Sequence, residues 1–540
     1  MRRVYHTRSV RIKGLRDIMA SPSDTDCKSI RMTPALQRRC LTRPRGAARG
    51  VLNVPGLRNT LRPLPAFSPE AEGRIHQASM RILSDTGVVF EDPRAVDLLR
   101  AAGARVEGGS QRVRLDPGLV LEKAALAPRE FELVARIPGR SVRVGGEHLV
   151  FAPTGGPAFV SDLEGGRRAG TLEDLRRLIR LSEAIPVIHH GAPEVVPTDR
   201  PLPSRHLDIL LAQIRLSSRG LIGDTWGAAR ARDHLEMTAI LFGGRDALSG
   251  KAALLGFVNS NSPLRYDRHM TEGLLEYATH GQPLIITPFI MAGATSPVTL
   301  AAAAAQQNAE TLAGIVLAQI VRPGTPVLYG GFLTGMDMRT GAPAFGRPEA
   351  ALGILAAAQM ARRYGLPCRG AGLLTNSKVP DAQSGYEKAN MLWPLLLAGV
   401  HYVPHAAGWL DSGLVASFEQ FVIDADLLEM AGRFLAGIRV DEESLALDII
   451  ERVGPGGQFL AQPHTRRHMR TELLYPALSD TSAYESWARD GSNDSCARAG
   501  RRWRQVLETY RQPPLDPTID AALEEFVERR SRELQRLTGS

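Results

Sequence analysis

The order of apolar and polar positions divides the chain into a repeating middle and two flanks. Between residues 148 and 440, short apolar runs without helical period alternate with longer amphipathic or Ala-rich stretches. The short runs are LVFAP (149–153), PVIHHG (186–191), GLIGDT (220–225), ALLGFV (253–258), PLIITPF (283–289), PVLYGGF (326–332), PCRGAGL (367–373) and VHYVPHA (400–406). Gly or Pro sets each of them off, as at strand ends. The stretches between them carry helix starts: Thr171 with Asp174 has capping-box spacing, and Ser296-Pro297 places an N-cap before a first-turn proline. Eight strands, each followed by a helix, predict an α/β fold, the (β/α)8 TIM barrel. A doubly wound open sheet has the same rhythm, but its Gly-rich phosphate fingerprint is missing after the first strand.

Residues 61–147 mix short helices and strands and read as an N-terminal α+β cap. One of its helices carries Ile75, Ala78, Met80, Ile82 and Leu83 before DTGVVFEDP, and Val96–Leu99 opens another. Residues 441–540 read as a C-terminal helical extension, broken at Pro513-Pro514 and closed by the amphipathic AALEEFVERRSRELQRL. Residues 1–60 have little apolar periodicity and read as a basic, disordered tail.

Charge changes the picture only at that tail. The formal charge of +9 over 540 residues suggests a nucleic-acid partner, but residues 1–50 hold 13 Lys and Arg against three Asp. The remaining 490 residues carry 53 basic and 54 acidic groups, so no basic surface for nucleic acid is expected on the folded body. The tail lacks the apolar core of a secretory signal, and Asp17, Asp24 and Asp26 weigh against a transit peptide. No run of ~18 apolar residues occurs; the nearest, 298–321, is interrupted by Gln306, Gln307, Asn308 and Glu310. The cysteines Cys27, Cys40, Cys368 and Cys496 show no CxxC spacing, which points to a reduced, cytoplasmic protein without structural zinc.

In a parallel barrel the chemistry lies in the loops after the strands. Here these include NSNSPLRYD, IMAGATSPVT, LTGMDMRTGAPAFG, LTNSKVPDAQSGYEK and AGWLDSGLVASFEQFVID, which are rich in amides, hydroxyls and isolated charges. Aromatic residues make up only 6% of the chain, yet Trp226, Phe257, Phe289, Tyr329, Phe332, Tyr402 and Trp409 all fall at or just beyond strand ends. Ring faces bind a quaternary ammonium, which has no N–H to donate; the same residues could equally plug the barrel mouth. Asp337, Asp381, Gln383, Glu387, His405, Asp411 and Glu419 lie in or beside the same loops. His401 and His405, four apart on a strand, would share a face. A zinc site would need more ligands, from Cys368, His189 or His190, and no metal is expected. GxSxG, Walker and HExxH patterns are absent, which removes support for serine hydrolase, nucleotide-binding and zincin readings.

The stretches FAPTGGPAFVSDLEGG, NSNSPLRYD, ITPFIMAGATSPVTLAAAAAQQNAETLAGIVLAQ, NSKVPDAQSGYEKANMLW and QFLAQPHTRRHMRTELLYPALSDTSAYESWARDG strongly resemble the trimethylamine methyltransferase (MttB-like) family. The likeness spans about residues 66–534. It implies a barrel whose mouth holds a methylated amine beneath the corrinoid of a separate small carrier protein. Archetypal members carry pyrrolysine, which the resemblance places near Leu374 and Thr375; this chain has ordinary residues there. It is thus similar to the branch that demethylates quaternary amines such as glycine betaine. Such a substrate already carries the charge that makes its amine a leaving group, so orientation and desolvation suffice.

On this reading Asp337, Asp381, Glu387 and His405 are the catalytic candidates. Trp226, Phe257, Phe289, Tyr329, Phe332, Gln383, Tyr402, Trp409 and Asp411 bind substrate. A betaine carboxylate would pair with Arg339, Arg347, Arg369 or Lys378, of which Lys378 and Arg339 sit deepest in the resembling strings. The corrinoid stays on its carrier, and Ala-rich barrel helices suggest a homo-oligomer. Two rivals share the fold: a lyase or hydrolase using Glu387 or His405 as base, and a non-catalytic amine-binding paralogue.

Overall fold

The computed structural model describes residues 56–192 and 195–538, so most of the basic segment 1–60, with Cys27 and Cys40, lies outside the described residues. Seven of the eight predicted segments contribute strands to one sheet: β1 (His148–Phe151), β2 (Leu221–Gly223), β3 (Leu254–Val258), β4 (Leu284–Ile286), β5 (Val327–Gly330), β6 (Cys368–Arg369) and β7 (Tyr402–Val403). They lie in the order β1-β7-β6-β5-β4-β3-β2, and all six adjacent pairs are parallel. Leu57–Arg58 adds an eighth, antiparallel strand beside β1.

The predicted second strand, 186–191, forms no regular ladder. It runs instead between the two ends of the parallel run. His189 N–H donates to Phe151 O (2.8 Å), Phe151 N–H donates to His189 Nδ1 (3.0 Å), and Gly191 N–H donates to Gly220 O (3.2 Å). An imidazole nitrogen thus takes the place of a ladder carbonyl, which is why no strand is assigned there.

Eight helices follow these segments one for one: α1 (Leu172–Ala184), α2 (Arg205–Leu216), α3 (Gly227–Phe242), α4 (Arg268–Thr279), α5 (Leu300–Val321), α6 (Pro348–Arg363), α7 (Ala382–Ala398) and α8 (Phe418–Leu435). The Thr171–Asp174 capping box opens α1 as expected. Ser296 does not cap α5, which begins three residues beyond Pro297 after Thr299.

Strand alternation sorts the core into two rows. Val150, Leu255, Ile285, Leu328 and Tyr402, from five different strands, form one cluster with Leu133, Val142 and Val144. The last three belong to the hairpin Phe131–Leu133/Val142–Val144. Side chains on β1, β3, β4, β5 and β7 can meet only if the sheet curls around them. The alternate row, including Phe151, Val258, Ile286, Tyr329 and Cys368, packs against the helices. Full burial of each such side chain stabilises the fold by about 1.5–3 kcal/mol.

The flanks cover this body. In the cap, Ser68, Asp92 and Asp116 each N-cap a helix whose first residue is proline. Its sheet borrows Arg265–Tyr266 from the loop between β3 and α4. At the other flank α9 (Ser495–Thr509) packs on α8 and α1, and α10 (Pro517–Thr538) packs on α3 and α2.

The histidines at the sheet ends make stability depend on pH. Burial pushes His189 and His190 down to about 3, against about 6.5 in an unfolded chain. The folded state therefore refuses protons that the unfolded state accepts. Their contribution is complete above pH ~6.5 and is lost as pH falls toward 3. Urea denaturation between pH 7 and pH 5 should show stability falling by about 1 kcal/mol per pH unit for each histidine. A flat profile would contradict neutral burial.

Candidate active site

The inner row of the sheet becomes polar toward the strands' C-terminal ends. Tyr402 keeps its ring inside and shares a 3.0 Å hydrogen bond with His190 Nδ1. Arg369 is in register with Tyr402 on one side and Gly330 on the other, so its side chain leaves the sheet on the same inner side. Its Nη1 donates to Gly331 O (3.1 Å), and its guanidinium lies 4.9 Å above the Phe332 ring. Nε has no partner, although the residue is only 1% exposed. Burial pulls its pKa down to about 9, which leaves it charged at neutral pH.

Beyond β7 the chain turns at His405, whose φ of 56° lies in the left-handed region. This breaks the alternation after Val403. The imidazole stacks on Trp409 with centroids 3.9 Å apart and planes 5° from parallel. Neither His405 Nδ1 nor Trp409 Nε1 has a partner. Burial first, and then the charge of Arg369, hold His405 well below its usual range, so it is neutral. Thr154 Oγ1, Thr287 Oγ1 and Asn376 Oδ1 are likewise buried and unpaired. They follow β1, β4 and β6. Buried polar atoms are ordinarily satisfied. Six of the ten exceptions among the described residues fall on this one end of the sheet, which marks it as a place built for a polar ligand.

Aromatic surface adjoins it. Past β4 and β5 the chain continues into the strands Phe289–Ala292 and Phe332–Gly335, paired with Phe289 opposite Phe332. Their rings lie 4.8 Å apart, and Phe345 stands 5.7 Å from Phe332.

The acidic candidates are bound to their own loops. Glu387 on α7 accepts from Thr375 Oγ1 (2.5 Å), Asn376 N–H (2.8 Å) and Gln383 Nε2 (3.1 Å). Asp381 caps α7 through Ser384 N–H (2.9 Å) and accepts from Ser377 Oγ (2.8 Å). Asp337 is held far below the usual carboxylate range by Arg347 at 2.7 Å and Arg339 at 3.3 Å. Asp411 donates its N–H to Ser377 O (2.7 Å) and lies 3.6 Å from Arg167 and 3.7 Å from Lys378. Behind these loops is a buried ion pair, Lys388–Asp424, at 2.8 Å. Lys388 also donates to Leu373 O (3.0 Å), and Asp424 accepts from Gly408 N–H (2.8 Å) and Gln420 Nε2 (2.7 Å). The pair clamps the loops after β6 and β7 between α7 and α8.

Of the residues singled out in the sequence, Phe332, Tyr402 and His405 neighbour Arg369, Phe289 adjoins Phe332, Trp409 stacks on His405, and Phe257 extends the inner row of β3. Tyr329 does not join them. It is in register with Ile286 in the outer row, and its hydroxyl donates to Asn308 Oδ1 (3.0 Å). Trp226 is 46% exposed and stacks on His269 at the start of α3. His401 and His405 share no face: His401 Nδ1 accepts from Cys368 N–H, and the turn at His405 carries the later ring elsewhere. Lys378 and Arg339 are largely exposed. Phe345, Thr154, Thr287, Asn376 and the Lys388–Asp424 pair carry no signal in the sequence, and His190 figures there only as a possible zinc ligand. His190 had a signal in the HH of the second segment. Among the described residues no three His, Cys, Asp or Glu side chains converge on a metal position.

A family model described as Trimethylamine methyltransferase (MTTB) matches residues 36–535. The chain belongs to this methyltransferase family. Glycine betaine methyltransferase of Desulfitobacterium hafniense (strain Y51) is 43% identical over 462 residues, covering 85% of this chain and 96% of that one. Trimethylamine methyltransferase MttB of D. hafniense (strain DSM 10664 / DCB-2) is 31% identical over 471 residues, covering 86% and 94%. MttB2 of Methanosarcina mazei is 28% identical over 492 residues, covering 87% and 96%. At the position where the resemblance puts pyrrolysine, this methyltransferase has Leu374 and Thr375. Both are buried, and the Thr375 hydroxyl is committed to Glu387.

The Lys388–Asp424 clamp gives a stability test. Removing one partner leaves the other buried and unpaired, so Lys388→Met should cost about 3–5 kcal/mol in urea denaturation. The double variant Lys388→Met/Asp424→Leu should recover most of that loss. A single variant within ~1 kcal/mol of wild type would show that the pair is not closed.

Proposed function

We propose that this methyltransferase takes a methyl group from a small quaternary ammonium of the betaine class and passes it to a corrinoid held by a separate protein. One observation carries the reading: the strand ends offer aromatic faces and neutral polar atoms, while the nearby carboxylates are already bound by their own loops. A quaternary ammonium is held by ring faces and desolvation rather than by hydrogen bonds. The names of the relatives agree with a methylated amine as donor.

The site is the mouth of a closed (β/α)8 barrel on this reading. The contacts of segment 186–191 with Phe151 and Gly220, and the inner cluster drawn from five strands, support closure. The corrinoid supplies a Co(I) nucleophile that accepts the methyl group. The protein's own side chains have simpler tasks. Phe289 and Trp409 present ring faces to the ammonium, and Phe332, whose ring lies under the Arg369 guanidinium, helps exclude water from it. His405 stays neutral and does not repel it. Asp381, Gln383, Glu387, Asp337 and Asp411 hold the loops that shape the mouth. The C–N bond breaks with its electron pair on nitrogen, leaving a neutral tertiary amine, so no general acid is required. The Cys368 thiol does not compete for the methyl: it faces the helices, and burial pushes it up to about 12. A lyase or hydrolase would need Glu387 or His405 as its base; the Glu387 carboxylate already accepts three hydrogen bonds, and burial beside Arg369 holds His405 well below its usual range, which makes it a poor proton acceptor.

The same reading includes a homo-oligomer formed through the segment that follows α8. In this segment Ile438, Val440, Leu447, Leu460 and Leu473 are exposed, and the helices Glu442–Leu445 and Pro463–Glu472 bury no residue. Glu442, Glu451, Arg466, Arg467 and Arg470 have no ion pair within the described residues. Such a surface is complementary to a second copy of itself under two-fold symmetry. It begins at the end of α8 remote from the strand ends, leaving the mouth free for the methyl acceptor. A cytoplasmic setting is consistent with Cys368 and Cys496 being free thiols, and no described helix is long and apolar enough to cross a membrane.

Two measurements test these statements. Incubated with reduced cobalamin or a corrinoid protein and a panel of methylated amines, the enzyme should form methylated corrinoid from quaternary amines and little from trimethylamine. Failure with every quaternary amine would refute the donor class. Light scattering should give a multiple of the 58.6 kDa chain, and Leu460→Asp should shift it toward monomer. A monomeric wild type would refute the interface.

A further inference from the structure

Arg369 is anomalous among the buried cations. Lys388 has Asp424 at 2.8 Å, and Arg219 lies 3.8 Å from Glu183 and donates to the backbone oxygens of Ser182 and Ile185. Arg369 is as deeply buried, yet it forms no ion pair among the described residues and makes one side-chain hydrogen bond, to Gly331 O. Its close electrostatic neighbours are the Cys368 thiol, which burial pushes up to about 12, and the Tyr402 phenol, neither of them a carboxylate. Asp337, Asp381, Glu387 and Asp411 are engaged elsewhere. An isolated buried charge costs several kcal/mol, so chains seldom keep one without a counter-charge. Here the unsatisfied Nε belongs to the same group of unpaired atoms as His405 Nδ1, Trp409 Nε1 and Thr287 Oγ1.

We infer that Arg369 is the specificity-determining residue of the site, and that its missing counter-charge is the carboxylate of a zwitterionic substrate. The assignment rests on the quaternary-amine reading above and narrows it. Without a carboxylate, a quaternary cation bound ~6 Å from the guanidinium would meet a repulsion of about 3 kcal/mol at an effective dielectric of 20. A zwitterion reverses that sign, because its anionic end lies nearer the arginine than its cationic end does. The guanidinium sits 4.9 Å over Phe332, and Phe332 is 4.8 Å from Phe289, so cation-binding surface begins one ring away from the anion-binding group. A short spacer between the two charges fits that arrangement, as in glycine betaine with its single methylene. Arg369 thus selects compact amino-acid betaines over choline, tetramethylammonium and trimethylamine. Lys378 and Arg339, which are largely exposed, have solvent to screen them and no need of a ligand.

The test is calorimetric binding to the full-length enzyme, with glycine betaine, its methyl ester and tetramethylammonium as probes. The ester keeps the shape and the ammonium and removes only the anionic charge. Wild type should bind glycine betaine at least 30-fold more tightly than the ester. Arg369→Met should lose most of that preference while binding tetramethylammonium as well as or better than wild type. Arg369→Lys, which keeps the charge and loses the fork, should fall between. Equal wild-type affinity for betaine and ester overturns the inference even if Arg369→Met does not fold. An equal loss for all three probes in a folded Arg369→Met variant overturns it too, since a merely structural role would do that. No binding of betaine by wild type also overturns it. Tight, ester-discriminating binding without methyl transfer would sustain Arg369 as the anion anchor and refute the proposed reaction instead.

Discussion

A guanidinium on the inner side of a curled sheet, with no ion-pair partner among the described residues, is the constraint around which this end of the molecule is organised. Arg369 is there because β6 is in register with Gly330 and Tyr402, and strand alternation leaves its side chain no other direction. Gly330 adds no side chain of its own beside it: a Cβ there would come within 2.4 Å of Ile286 O and 2.3 Å of Thr287 Cβ. Among the described residues, those around the charge are neutral. His190 and His405 are kept unprotonated, the Cys368 thiol is kept protonated, and Phe332 offers a ring face.

That arrangement depends on loops being held still, and the buried charges that are matched do this. Lys388 and Asp424 join α7 to α8 and fix Leu373 and Gly408, which flank the positions where the chain passes Arg369 and His405. Glu387 fixes Thr375 and Asn376 in the same way, and Asp337 gathers Arg339 and Arg347. Glu387 and Asp337 are therefore spent on shape. What remains for a ligand is one positive charge, several aromatic faces and a few unpaired dipoles, a combination that suits a zwitterion whose cation has no N–H.

Much of this was legible in the sequence because it depends on local pattern. The strand–helix rhythm, the α1 capping box and the concentration of aromatics at strand ends are all local signals. What could not be read depends on parity and register. Tyr329 and Phe332 both follow from PVLYGGF, yet one faces helix α5 and the other the site, because Tyr329 is in register with the outward Ile286. Among the four candidate cations the sequence favours Lys378 and Arg339, and only the placement of two-residue β6 between β5 and β7 sets Arg369 apart from them. The likeness of His401 to His405 in spacing is cancelled by a single left-handed residue. In 186–191 a side chain replaced a ladder carbonyl, which no alternation rule anticipates.

The most direct test of this account is a crystal structure of the enzyme soaked with glycine betaine. The account requires carboxylate oxygens within hydrogen-bond distance of the Arg369 guanidinium, with the trimethylammonium against the Phe289 and Trp409 rings and one methyl directed out of the strand ends. A betaine whose carboxylate points to Lys378 or to solvent, with its ammonium paired to Glu387 or Asp411, would contradict it.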